Sequence, residues 1–296
     1  MASPVAELKA SPLSATPQST DLIVSLTQSP TPPAVSEAPA VTATVTPTPT
    51  TRPTSSPTPL PCWGSGGRFE YDSLSDPRLP LPMEYSVYLP ACYDQQADRR
   101  YPVLYMIHGQ NYNHDQWDRL GIDESADALI AAGEISPVII VLPRDRSWAQ
   151  PTEDVFGTVL AEQLIPYIDG KYRTVPERNY RAVGGLSRGA GWAVHLGFSH
   201  WELFGAIGAH SLPVFWTDTN HIRSWLDAIP VEQMPRIYLD IGDKDRPAIL
   251  ASAIWFADLL NEKAIPHEWY LFPGYHEEAY WISHIDQYLR WYTQEW

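Results

Sequence analysis

The pentapeptide Gly185-Leu186-Ser187-Arg188-Gly189 stands between the short apolar run 180–184 and the helix-compatible stretch 190–198. No other feature restricts the fold of this chain as much. A strand that ends in a sharp turn and passes directly into a helix brings two backbones together, and glycine at both flanks removes the Cβ atoms that would collide there. The residue at the apex is then held on a strained backbone with its side chain projecting from the end of a sheet. Ser187 is accordingly the first candidate nucleophile.

The remaining periodicities agree with a sheet of that kind. Residues 83–89 alternate, with Tyr85, Val87 and Leu89 on one face and Glu84, Ser86 and Tyr88 on the other, which predicts a half-exposed strand near a sheet edge. Residues 101–107 form a nearly continuous apolar run, as expected of a central strand buried on both faces. Further strands are predicted over 138–142, 181–184, 205–208, 236–241 and 267–272. Helices are predicted over 122–132, 155–171, 191–198, 221–228, 247–263 and 277–292. In 155–171, Phe156, Val159, Leu160, Leu164, Tyr167 and Ile168 recur at spacings of three and four and make one apolar stripe. This alternation implies an α/β fold, a mostly parallel sheet with helices on both faces. The turn at Ser187 and the loops after Ile107, Ile241 and Phe272 then converge on the rim where such sheets bind ligands.

Composition divides the chain near Pro61. Residues 1–61 hold 13 prolines and 21 serines or threonines and no aromatic residue, so they are expected to form a disordered linker, either bare or glycosylated. Residues 62–296 hold all 12 tryptophans, 16 tyrosines and 7 phenylalanines, enough for one large core and a single domain. The net charge of −15 falls almost wholly on that part and argues against nucleic acid as a partner, while neutral polysaccharides and small esters remain acceptable. No run reaches the ~18 apolar residues of a membrane helix, and no basic region followed by an apolar one marks a leader. The two cysteines, Cys62 and Cys92, are expected to pair, which together with the linker suggests an extracellular or cell-surface location.

A serine hydroxyl needs a base to take its proton, and the base needs a carboxylate to hold its tautomer. His276, four residues past the last predicted strand, is the best placed of nine histidines, ahead of His108, His210 and His284. The acid is expected from Asp240-Ile241-Gly242-Asp243-Lys244-Asp245. Asp245 stands far enough beyond the strand to reach across, whereas Asp240 is expected to bind turn amides and Asp243 to form a solvated pair with Lys244. Two backbone amides, those of Gln110 and Arg188, are the candidate donors to a developing oxyanion. Tyr112, Trp117, Trp148, Trp216 and His210 are the candidate substrate contacts, with Trp192 near the same rim. No histidine or carboxylate recurs at a ligand spacing, so neither metal nor cofactor is expected.

Read together, residues 101–109, Asp115-Gln116-Trp117, Gly185-Leu186-Ser187-Arg188-Gly189 and 240–245 resemble the esterase D-like family of the α/β-hydrolase superfamily. That family includes feruloyl esterases, enterochelin esterases and mycolyltransferase antigens, and the resemblance covers about residues 67–295. It implies an α/β-hydrolase fold and a cofactor-free serine carboxylesterase with its acid at Asp245 and its base at His276. The chain departs from the pattern at Gln110-Asn111, where a glycine pair is common. Acetyl or feruloyl esters of polysaccharides are the expected substrates. An acyltransferase acting on a sugar hydroxyl and a non-catalytic binding module are the alternatives.

Overall fold

The computed structural model describes residues 61–296, so the expected linker lies outside the described residues except for Pro61. Eight strands form one sheet: β1 Arg68–Leu74, β2 Met83–Leu89, β3 Val103–Ile107, β4 Ile139–Pro143, β5 Arg181–Leu186, β6 Ala206–His210, β7 Arg236–Gly242 and β8 Glu268–Phe272. Their order is β1-β2-β4-β3-β5-β6-β7-β8. From β4 to β8 every neighbouring pair is parallel, while β1 and β2 pair antiparallel with their neighbours. Helices α1 Gln116–Arg119, α2 Ile122–Ala131, α3 Phe156–Val159, α4 Ile165–Lys171, α5 Arg188–Ser199, α6 Ile222–Ala228, α7 Pro247–Glu262, α8 Glu278–Ile282 and α9 Ile285–Thr293 complete the domain. Together they make the expected α/β-hydrolase architecture.

Two apolar cores, one on each face of the sheet, hold the layers together. Phe156, Leu164, Trp192, Phe198 and Phe256 pack one face, and Trp117, Ile122, Trp281, Tyr288 and Leu289 pack the other. Strand β2 contributes to both, Tyr85 to the first and Tyr88 to the second. It is therefore buried at nearly every position rather than half-exposed. The cause is β1, a polar and mostly exposed strand that periodicity does not reveal and that takes the sheet edge beyond β2.

Two predicted helices are interrupted. Between α3 and α4 the chain makes a π-helical turn, Leu160–Leu164, just before Pro166, which has no N–H to give and whose ring crowds the preceding turn. The closing helix breaks between α8 and α9. There the Ser283 hydroxyl (2.7 Å) and the His284 ring Nδ1–H (2.7 Å) both donate to the Tyr280 carbonyl, an acceptor the continuing helix would use. Among the described residues no helix is long and apolar enough to cross a membrane.

Cys62 and Cys92 are joined in a disulfide across a separation of 30 residues, fastening the start of the domain to the loop after β2. Closing a loop of that length stabilises the fold by roughly 3 kcal/mol, chiefly through the unfolded chain. Reduction is expected to lower the melting temperature by about 6–12 °C. Thermal unfolding with and without reductant, beside Cys92→Ser, measures this; identical curves would show that the bridge does not contribute.

Candidate active site

Strand β5 ends at Leu186 and α5 begins at Arg188, leaving Ser187 alone to turn the chain, with φ 52° and ψ −123°. This backbone conformation costs a non-glycine residue about 1–3 kcal/mol. The surroundings enforce it. A Cβ on Gly185 would lie 2.4 Å from the Gly189 carbonyl, and one on Gly189 would lie 2.1 Å from the Ile107 oxygen. The Ser187 N–H donates to the His210 carbonyl at 2.8 Å, fixing the turn against the end of β6.

His276 reaches this serine from the loop between β8 and α8, with its Nε2 2.9 Å from the Ser187 Oγ. On the other side of the ring, Nδ1 lies 2.9 Å from Asp245 Oδ1 and 3.0 Å from Oδ2. A carboxylate only accepts, so Nδ1 carries the hydrogen and Nε2 is free to accept from the serine hydroxyl. The Asp245 side chain is fully buried, which strengthens its hold on the ring. The loops that carry acid and base are tied to each other. Asp243, instead of pairing with Lys244 in solvent, accepts from the Gly274 N–H at 2.9 Å, and Lys244 N–H donates to the Gly274 carbonyl. A Cβ on Gly242 would stand 2.4 Å from that same carbonyl oxygen, so only glycine permits the approach. Trp281 meets the His276 ring edge to face, with centroids 5.1 Å apart.

The loop after β3 is held at both backbone groups of one residue, Gly109. The buried His108 donates from Nδ1 to the Gly109 carbonyl at 2.8 Å and accepts at Nε2 from the Asp145 N–H at 3.0 Å. Burial lowers the pKa of this ring, in keeping with the neutral tautomer these bonds require. Gln116, fully buried, takes the Gly109 N–H at 2.8 Å. In a trans peptide the Gln110 N–H points opposite to the Gly109 carbonyl, so His108 also sets the direction of that amide. Among the described residues neither the Gln110 nor the Arg188 N–H has a protein acceptor. Asn111 adopts φ 73°, a left-handed conformation that asparagine tolerates better than most residues, so the loop turns without a glycine pair.

A cleft of about 520 Å³ opens over these groups, lined by Ser187, His276, Gln110, Tyr112, Arg246 and Trp281 among others. Of the expected substrate contacts, Tyr112 lies in it, and Trp148 is exposed in an adjoining cavity. The others do not. Trp117 is buried with its indole N–H donated to the Ile107 carbonyl, and Trp192 is buried with its N–H on Asp145. Both lie in the core because the segments that carry them fold inwards against the sheet. His210 is also buried, between Asp240 and Tyr292, and Trp216 is exposed but lines neither cavity. Asp240 binds His210, Tyr280 and Tyr288 rather than turn amides. The Arg188 side chain turns away to Asp145 (2.6 Å) and the Ala149 carbonyl (2.7 Å), leaving its backbone at the cleft.

Gln116, Arg246 and Trp281 were not foreseen as site residues. Gln116 was within sight, beside the motif residue Trp117, but nothing in a linear pattern shows that its amide would fold back onto Gly109. Arg246 is the one arginine among the described residues whose side chain has neither a hydrogen-bond acceptor nor an ion-pair partner. Nothing in the run 240–245 signals that the next residue faces the cleft.

The family model described as "Putative esterase" matches residues 77–292. An esterase of Mycobacterium tuberculosis is 29% identical over 243 residues, covering 64% of this chain and 52% of the relative. An endo-1,4-beta-xylanase/feruloyl esterase of Xylanibacter ruminicola is 30% identical over 173 residues, covering 55% of this chain and 23% of the relative. The chain thus spans about half the length of the first relative and a quarter of the second. Among solved structures, a ferulic acid esterase superposes with a TM-score of 0.68 at 26% identity, over 77% of this chain and 98% of that one. The feruloyl esterase module of Clostridium thermocellum with sinapinate has the same fold, at TM-score 0.64 and 18% identity, over 80% and 92% of the two chains.

Proposed function

Since the chain belongs to the "Putative esterase" family, we propose that residues 62–296 act as a serine carboxylesterase, with hydroxycinnamoyl or acetyl esters of polysaccharides as substrates. The observation that carries this reading is the hydrogen-bonded line Ser187 Oγ, His276 Nε2, His276 Nδ1, Asp245, with distances of 2.9 and 3.0 Å. Ser187 attacks the ester carbonyl while His276 takes its proton, and the Asp245 carboxylate stabilises the imidazolium that results. The carbonyl oxygen becomes an oxyanion and accepts from the Gln110 and Arg188 amides, each worth roughly 3–4 kcal/mol in a well-formed hole. Collapse expels the alcohol, which receives the proton from His276. Water, activated by the same ring, then releases the acid and restores Ser187.

The acyl preference rests on the two feruloyl esterase relatives and on the aromatic lining at Tyr112 and Trp281. The disulfide favours work outside a reducing cytoplasm. Hydrolysis of methyl ferulate and p-nitrophenyl acetate, with fluorophosphonate labelling followed by peptide mapping, tests the reading. One adduct on the peptide containing Ser187, and hydrolysis of both esters, is the expected result. A folded sample that hydrolyses neither ester, or that labels elsewhere, would sink it.

A further inference from the structure

Beside the catalytic cleft lies a second cavity of about 310 Å³, and Gln110, Asn111, Tyr112 and Arg188 line both. Its far wall is the segment Arg144 to Trp148. Arg144, Arg146 and Arg188 are among the residues that line it, with a single carboxylate, Asp145, already occupied by Arg188, the Trp192 N–H and the Ser147 N–H. The balancing acids do not line the cavity. Glu84 holds both Arg144 and Arg146 through one oxygen, Oε2, and Asp154 lies 3.9 Å from Arg188. His114, near Glu84, has its pKa lowered by burial and adds no charge at neutral pH.

Arg146 spends only one nitrogen, Nη2, on Glu84, at 2.6 Å. Its Nε and Nη1 have no acceptor among the described residues, and the side chain is 30% exposed. Anchored on one side and open on the other, a guanidinium of this kind presents a planar fork suited to a carboxylate. Trp148 stands at the same wall with 69% of its surface exposed, an unused aromatic face. Free, directed cationic donors on Arg146 beside a bare indole suit a ring that carries a carboxylate.

We infer that this cavity is a subsite for a uronic acid residue of the carbohydrate that carries the ester, so that the substrates are esters of an acidic polysaccharide. The inference rests on the esterase reading for the neighbouring cleft, but its test needs no turnover. In calorimetric titrations of the full chain, tri-galacturonate is expected to bind about tenfold tighter than xylotriose. That preference is expected to shrink severalfold on going from roughly 0.05 to 0.5 M NaCl. It should vanish in Arg146→Gln, whose exposed position leaves folding intact, and both sugars should bind more weakly to Trp148→Ala. Equal binding of the two trisaccharides, or a preference that survives Arg146→Gln, would overturn the subsite. Free ferulate binding that is lost in Arg146→Gln would do so too, by assigning the cavity to the released acid. Because methyl ferulate hydrolysis is measured separately, loss of the esterase reading and loss of the subsite are distinguishable.

Discussion

Ser187→Ala is expected to lower kcat for p-nitrophenyl acetate about a million-fold, and Asp245→Asn about ten-thousand-fold. The two losses differ because the residues do different work. Without the Ser187 Oγ there is no acyl-enzyme, and His276, 2.9 Å away, has no proton to take. In Asp245→Asn the nucleophile remains, but the carboxylate that accepts the Nδ1–H at 2.9–3.0 Å is replaced by an amide. An amide can donate to Nδ1 instead, which drives the hydrogen to Nε2, where it faces the serine and blocks proton transfer. Neither change alters the lining of the cleft at Tyr112 or Arg246, so KM is expected to stay within about threefold of its starting value. Steady-state kinetics with folding checked by circular dichroism decides the matter. A loss below about a hundredfold for Ser187→Ala would remove this serine from the reaction.

The parts of this molecule that are legible in its sequence are those where chemistry or periodicity leaves few options. Strand β2 starts and ends where its alternation does, and the turn between β5 and α5 follows from glycines whose Cβ atoms would clash at 2.1 and 2.4 Å. The three groups that meet at Ser187 stand out because only a few residue types can activate a hydroxyl. Failures came where orientation decides. Trp117, Trp192 and His210 all occupy strand ends or the segments that follow them, where a side chain can point up at the rim or down into the core, and a linear pattern does not distinguish the two. Strand β1 was invisible because its residues are mostly exposed, so it carries no apolar period, and only pairing with β2 makes it a strand. The unpaired state of Arg246 is likewise a property of its neighbours and not of its own segment.

Asp240→Ala is expected to destabilise the domain by about 5 kcal/mol, a larger loss than opening the disulfide should cause. Asp240 is 1% exposed, and both of its carboxylate oxygens accept hydrogen bonds from buried side chains. Oδ1 accepts from His210 Nδ1–H at 2.6 Å, and Oδ2 accepts from the hydroxyls of Tyr280 (2.6 Å) and Tyr288 (2.8 Å). Burial, and then the nearby Asp240 charge, hold both tyrosine pKa values far above their ordinary value, so these hydroxyls remain donors at any working pH. Removing the acceptor strands three buried donors at once, each costing roughly 1–3 kcal/mol, with part of the total recovered by local rearrangement. For a domain of this size the melting temperature should fall by about 10–20 °C. Asp240→Asn, which keeps the volume and one acceptor oxygen, should cost about half as much. A fall under about 3 °C for the alanine variant would mean that the network contributes little. The same three donors come from β6, α8 and α9, so this acid fastens the end of β7 to the helix that follows His276. Its backbone carbonyl also takes the Ser211 N–H at 2.8 Å, one residue past the His210 carbonyl that holds the Ser187 turn. Loosening Asp240 should therefore be felt as a broader, less defined placement of His276 over Ser187 before the domain melts, with kcat falling below the melting transition while KM stays near its original value.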